Sequence, residues 1–271
     1  MFMRTRSLVA TSLSCALLFG ASAAVSAQDD PATLLAASVT ATSAATSFHF
    51  LATADGTINL GDMFGGAPLP IAGTTAEGDV SVTPQGVQLN FAVPLGPISL
   101  SGGLIYPNDG FAYVKLALPG ASAADLWHKI QADEMLGQAL GSPAPGTPDM
   151  AAQLQQALTG SGAVLTDEGD VPCAAGTCTK FHLEVPSAAL DSIVGSVLPG
   201  TSPAPSAAAA ALIPVDILVD NATQYIDSLS THVVEAASGT DVTLLIQLSA
   251  FNAPVTITAP PADQVTDAPL F

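Results

Sequence analysis

The chain has 271 residues, 49% hydrophobic, 10% charged and 5% aromatic, which is enough apolar material for a sizeable core and too much for a disordered chain. Five Lys and Arg stand against 23 Asp and Glu, a formal charge of −18. Nucleic acids and anionic membranes are held by clustered bases on one face, and a chain this poor in bases is excluded from both partner classes.

The first residues carry Arg4 and Arg6, then a mostly apolar run from Ser7 to Gly20, then small residues ending Val25-Ser26-Ala27. That order is the layout of a secretory signal peptide, with cleavage expected after Ala27 and a single domain expected over 28–271. Removing 1–27 leaves three lysines, Lys115, Lys129 and Lys180, against all 23 acids. Cys15 raises the question of a lipid anchor. The residues before it are Ser12-Leu13-Ser14, and too little apolar chain precedes it, so anchoring there is not expected. No later run is long and apolar enough to predict a transmembrane helix. The protein is expected to be exported, to the periplasm, the envelope or beyond, and to be soluble there.

In chain order, a helix is predicted from Pro31 to about Ala45, opened by its proline. A strand follows in which Phe48, Phe50, Ala52 and Ala54 alternate with His49, Thr53 and Asp55. Gly61 to Ala72, rich in Gly, Pro and Met, reads as a mobile loop. After the turn Thr83–Gly86, Val87, Leu89, Phe91 and Val93 alternate with Gln88 and Asn90. After the turn Pro107–Gly110, Ala112, Val114, Leu116 and Leu118 alternate with Tyr113 and Lys115. Helices are then predicted over Ala123–Leu140, carrying Trp127, and over Asp149–Leu158. Asp167-Glu168-Gly169-Asp170 reads as a polar turn, without the spacing of a calcium loop.

Next come Phe181, Leu183 and Val185, alternating with Lys180, His182 and Glu184, and a predicted helix over Ser187–Leu198. Gly200 to Pro214 reads as a second mobile loop. Val215, Ile217 and Val219 make another half-apolar strand, ended by a turn at Asp220-Asn221. After a turn at Ser238–Thr240, Val242, Leu244, Ile246 and Leu248 complete the series. Strands with one apolar and one polar face belong to an antiparallel sheet covered on one side. The fold class is therefore α+β: a large curved antiparallel sheet with helices on its concave face.

Without Cys15, two cysteines remain, Cys173 and Cys178, with Gly176 between them. In an exported chain this pair reads as a disulfide across a tight hairpin. A zinc site would need two further ligands, and His182 is the one imidazole nearby, so no metal is expected. There is no G-x-S-x-G elbow, H-E-x-x-H, phosphate loop or dinucleotide fingerprint, and no catalytic residue is nominated. Of the four histidines, His49 and His182 fall on polar strand faces, where solvated imidazoles are expected. Asn221-Ala222-Thr223 matches a glycosylation sequon, a three-residue pattern common by chance. With few aromatics and Ala-rich helices, the sheet is open to incomplete filling. An apolar cavity for acyl chains and an ordinary packed core both fit that pattern.

The string from Val242 to Phe251, Asn252-Ala-Pro-Val-Thr-Ile-Thr-Ala-Pro260-Pro261, resembles the closing strands of the LppX/LprAFG family of cell-envelope lipid-binding lipoproteins. Leu34-Leu35 leading into Ser47–Phe50, and Ile217–Asp220 followed by Tyr225-Ile226, are similar to that family's first and central elements. The resemblance implies a LolA-like fold, an unclosed antiparallel β-barrel whose concave side holds helices and an apolar cavity. It implies binding of acylated lipids or lipoglycans, with no catalysis and no cofactor. The chain departs from the family at the lipobox cysteine, which would suit a soluble shuttle.

Inward-facing strand residues are the candidate ligand contacts: Phe48, Phe50, Leu89, Phe91, Val114, Leu116, Phe181, Leu183, Leu244 and Ile246. The expected activity is non-catalytic carriage of a lipid or other apolar ligand in the cell envelope, with envelope transport proteins as further partners. A non-catalytic protein-binding role and a secreted hydrolase with a spatially assembled triad are the competing readings.

Overall fold

The structure, a computed structural model, describes residues 30–59, 68–95, 98–117, 126–132, 164–186, 212–235 and 239–268. Helix α1 (Pro31–Ser43) starts on its proline, whose missing N–H costs nothing at a helix start. Thirteen strands follow: β1 (Ser47–Ile58), β2 (Leu69–Pro70), β3 (Thr74–Val82), β4 (Gln85–Leu95), β5 (Ile98–Tyr106), β6 (Phe111–Ala117) and β7 (Trp127–Gln131). After these come β8 (Val164–Cys173), β9 (Gly176–Pro186), β10 (Leu212–Asp220), β11 (Ile226–Glu235), β12 (Thr240–Ser249) and β13 (Val265–Thr266).

All thirteen belong to one unclosed sheet in the order β13-β7-β6-β5-β4-β3-β1-β12-β11-β10-β9-β8, with β2 also paired to β1. Neighbours on the main path are antiparallel except β13 and β7, which run parallel. The central joint pairs β1 with β12, His49 against Ser249 through Thr57 against Asp241, so strands from the two ends of the chain meet in the middle of the sheet. Among the described residues no helix is long and apolar enough to cross a membrane.

Leu35 and Val39, one turn apart on α1, pack on Phe181 of β9, Ile217 and Val219 of β10 and Ile226 of β11. Leu34, Leu165, Val215, Leu229 and Leu248 border this cluster. A 13-residue helix is marginal alone, so this apolar contact is what holds α1 in place. We call the α1 side of the sheet the inner face.

Several expectations change. Trp127–Gln131, expected in a helix, is strand β7, pinned between β6 and β13, with the Trp127 ring lying over Gly103. The rest of that predicted helix from residue 133, and those over 149–158 and 187–198, lie outside the described residues. Of the two expected loops, 61–67 and 200–211 lie outside the described residues, and the rest includes strand. β2 and the buried Ile71 fall inside the first, and β10 begins at Leu212 inside the second. Asp167–Asp170 is not a turn but part of β8, where the register against β9 shifts between Asp167 and Gly169. The real turn is the expected cysteine hairpin. Cys173 and Cys178 are joined, with Cα atoms 5.8 Å apart. Replacing both by Ser is expected to cost about 2 kcal/mol in the loop-entropy account, read as a lower urea midpoint.

Candidate apolar-ligand face and an adjoining cleft

Paired residues in a ladder point to the same side, so register decides which side chains share a face. One row runs Ile246–Ala52–Ala76–Phe91–Gly102–Leu116 across β12, β1, β3, β4, β5 and β6. The next runs Leu248–Phe50–Gly78–Leu89–Leu104–Val114. On the other side Ile246 leads through Leu229 and Ile217 to Phe181, and Thr231 links Leu244 to Val215 and Leu183. All ten sequence-nominated residues therefore lie on the inner face. Phe181 and Leu183 are buried, Phe181 against α1, while the other eight are half-buried.

The rows alternate large and small. Gly78 lies between Phe50 and Leu89, and Gly102 lies under the Phe91 ring, whose Cζ would be 2.7 Å from any Cβ added there. With Ala52 and Ala76 beside them, these glycines lower the floor of the face between aromatic walls. Such a surface can take alkyl chains and offers them no hydrogen-bonding group.

The outer face is less wet than its sequence implies. Ile105 and Tyr113 on it are buried, the Tyr113 hydroxyl donating to Asp109 at 3.0 Å. Burial first, and the Asp109 carboxylate second, push that phenol's pKa up. His49 and His182 lie on this face as expected, but each is paired with a carboxylate: His49 Nδ1 with Asp79 at 3.0 Å, His182 Nδ1 with Asp216 at 2.6 Å. Lys180 also bonds Asp216, at 3.2 Å, and Glu168, at 2.8 Å. Burial pulls the Asp216 pKa up, but the hydrogen bonds from His182 and Lys180 outweigh it and hold the carboxyl low.

A cleft of about 510 Å³ opens at the end of the sheet near the cysteine hairpin, and none of the ten nominated residues lines it. Its walls include His49, Asp220, Tyr225, Asp227, Gln247 and Phe251. Tyr225 stacks on Phe251 with ring centroids 4.4 Å apart and accepts a hydrogen bond from Asn252 Nδ2 at 2.8 Å. Asp220 accepts from the Thr223 hydroxyl and the Ala222 N–H; the hydroxyl contributes most to holding its pKa down, against burial.

Asp227 sits where the β10–β11 register slips and is 9% exposed. Burial pushes its pKa up, helped by the charge on Asp220 and opposed by hydrogen bonds from the Ala175 N–H and Ser228. The sulfurs of Cys173 and Cys178 come within 4.8 Å of the Asp227 carboxylate, but joined as a disulfide they offer no thiolate to a metal. Sequence reading missed Asp227 because a bulge leaves no periodic signal. Only its closeness to the Asp220 turn could have drawn attention to it.

The two acids act oppositely on stability. Asp227, raised, contributes most below the unfolded carboxyl value of about 3.9, and that contribution is lost as pH rises through its folded pKa. Asp220, lowered, contributes above that value and loses its contribution as pH falls through its folded pKa. Asp227→Asn should therefore gain stability relative to the native chain between pH 3.5 and pH 7, measured by urea unfolding at both. An unchanged difference would rule the assignment out.

No family model matches the chain, and no curated protein matches it. Among solved structures, LprF from Mycobacterium bovis is similar over 85% of this chain and 96% of its own, with a TM-score of 0.50 at 16% identity. The chain has the LprF fold. The lipoprotein LppX of Mycobacterium tuberculosis is also similar, over 84% of this chain and all of its own, with a TM-score of 0.47 at 17% identity. The architecture shared with LprF is the unclosed antiparallel sheet that the C-terminal resemblance implies.

Proposed function

We propose that the chain is an exported, non-catalytic carrier or binding protein for lipids or other apolar molecules of the cell envelope. In this reading residues 1–27 are removed on export, 28–271 act as one unanchored domain, and acyl chains lie against the inner face of the sheet. The observation that carries it is the placement of ten apolar side chains from five strands on one face, eight of them only half-buried. Each methylene buried there would contribute roughly 0.8 kcal/mol, so one long chain supplies enough for micromolar binding after ordering costs. The LprF-like architecture agrees with this use.

Native mass spectrometry of protein purified from its own envelope, followed by organic extraction, tests the reading. A stoichiometric lipid is expected. A protein that stays empty after incubation with envelope lipids would refute it and favour a protein partner. Ala52→Trp, which raises the floor of the face between Ile246 and Ala76, is expected to lower lipid affinity at least about tenfold, the equivalent of two buried methylenes. Circular dichroism should be unchanged.

A further inference from the structure

The inner row that ends on Leu89, Leu104 and Val114 continues one strand further, because Val114 pairs with His128 of β7. His128 is half-buried and differs from the other histidines in two respects. By register His49, His182 and His232 lie on the outer face, and each pairs with a carboxylate, Asp79, Asp216 and Asp241. His128 lies on the inner face, and its Nδ1 meets a main-chain carbonyl, Ala268 O, at 2.9 Å.

The C-terminal segment brings that carbonyl to β7 across the outer face. The Ser47 hydroxyl donates to Ala253 O at 2.6 Å, Ile257 lies over Gly86, and Val265 and Thr266 pair with Trp127 and His128. The Thr266 hydroxyl accepts from Ala268 N–H at 3.1 Å, so Ala268 is held at both its N–H and its C=O.

This contact fixes the tautomer. A carbonyl oxygen only accepts, so Nδ1 carries the proton, and in the neutral ring Nε2 keeps its lone pair. Nε2 has no partner among the described residues. It is a hydrogen-bond acceptor at the end of an apolar row.

The charges nearby select the kind of group it can meet. All three lysines lie on the outer face: Lys115 opposite Gly103, Lys129 over the Phe111 ring, and Lys180 on Glu168 and Asp216. An anionic head group on the inner face would find no lysine to balance it, in a chain of formal charge −18. An uncharged hydroxyl needs only an acceptor.

We propose that His128 Nε2 is the head-group contact of the inner face, accepting a hydrogen bond from a hydroxyl of an uncharged amphiphile of the monoacylglycerol type. The acyl chain runs from β7 past Val114, Leu104 and Leu89 to the floor at Gly78, four strand steps or about 19 Å. The inference rests on the proposed function and names the ligand class for it.

The test measures two oleoyl lipids by displacement of a fluorescent hydrocarbon probe from the protein. Monooleoylglycerol carries hydroxyls, and methyl oleate has the same acyl chain and none. His128→Phe keeps a ring and removes the acceptor. It is expected to weaken monooleoylglycerol about fivefold, the loss of one hydrogen bond, and to leave methyl oleate unchanged. Unchanged binding of monooleoylglycerol overturns the proposal. Equal weakening of both lipids also overturns it, because a packing role would act on the shared chain.

If His128→Phe does not fold, nitrogen NMR of the native protein decides. The His128 ring is expected to be protonated at Nδ1, and its Nε2 signal to move with monooleoylglycerol and not with methyl oleate. A ring protonated at Nε2 alone, or a signal that responds equally to both lipids, overturns the proposal. Methyl oleate bound while His128 fails these tests removes the head-group contact and leaves the carrier. Failure of the native protein to bind either lipid removes the carrier reading, and this inference with it.

Discussion

Phe181→Ala is expected to destabilise the protein by about 3–5 kcal/mol, the range for truncating a fully buried aromatic where the surroundings collapse only partly. Phe181 is 1% exposed and is the largest fully buried side chain described. It touches both layers, the strand pair of β9 and β10 and the apolar stripe of α1 formed by Leu35 and Val39. Its loss leaves a void where helix and sheet meet, and a short helix with that contact weakened has little else to hold it. Urea unfolding followed by circular dichroism should show a lower midpoint with a similar slope. A change below about 1 kcal/mol would mean that this cluster is not the main packing contact.

Gly56→Val should cost roughly 3 kcal/mol or more, by a different route. Gly56 adopts φ +122° at the last pair but one of the β1–β12 ladder, and a Cβ there would sit 1.9 Å from the carbonyl oxygen of Asp241. The backbone conformation disfavours any L side chain, and the clash is with main chain, which cannot turn away as a side-chain tip can. Relief requires opening the last pairs of that ladder, Gly56 with Val242 and Thr57 with Asp241, so the end of β1 and the start of β12 should loosen together. Hydrogen exchange should speed up at the C-terminal end of β1 and the N-terminal end of β12 alike, and faster exchange on only one of the two would refute the argument.

The two substitutions probe features of different visibility in the sequence. Phe181 could be placed on the apolar side of a strand from alternation with Lys180 and His182 alone. The same holds for β4 and β6, where every second residue is large and apolar. Strands β3 and β5 escaped that reading because Thr74-Thr75-Ala76-Glu77-Gly78 and Ser101-Gly102-Gly103 carry too few apolar side chains to alternate. They are strands because their neighbours need partners, and their small residues are what lower the inner face beside Phe50 and Phe91. Trp127 was misread for a related reason. An apolar ring in an Ala-rich stretch looks like a helix's buried stripe, whereas its partner is the bare backbone of Gly103 on the outer face.

The sequence by itself determined the side of the sheet on which each strand's apolar residues would lie, because side-chain direction in a strand has a period of two whatever the neighbours are. It determined in the same local way the helix at Pro31 and the cysteine hairpin. Only the tertiary structure decided that β1 pairs with β12, that Asp220 and Asp227 share a cleft, and that residues 253–268 return across the outer face to β7. Each of these joins residues far apart in the chain, or rests on a bulge or an extended run with no periodic pattern. Contacts of that kind are chosen by which surfaces can be buried together, which is a property of the assembled sheet and leaves no local mark on the residues that make it.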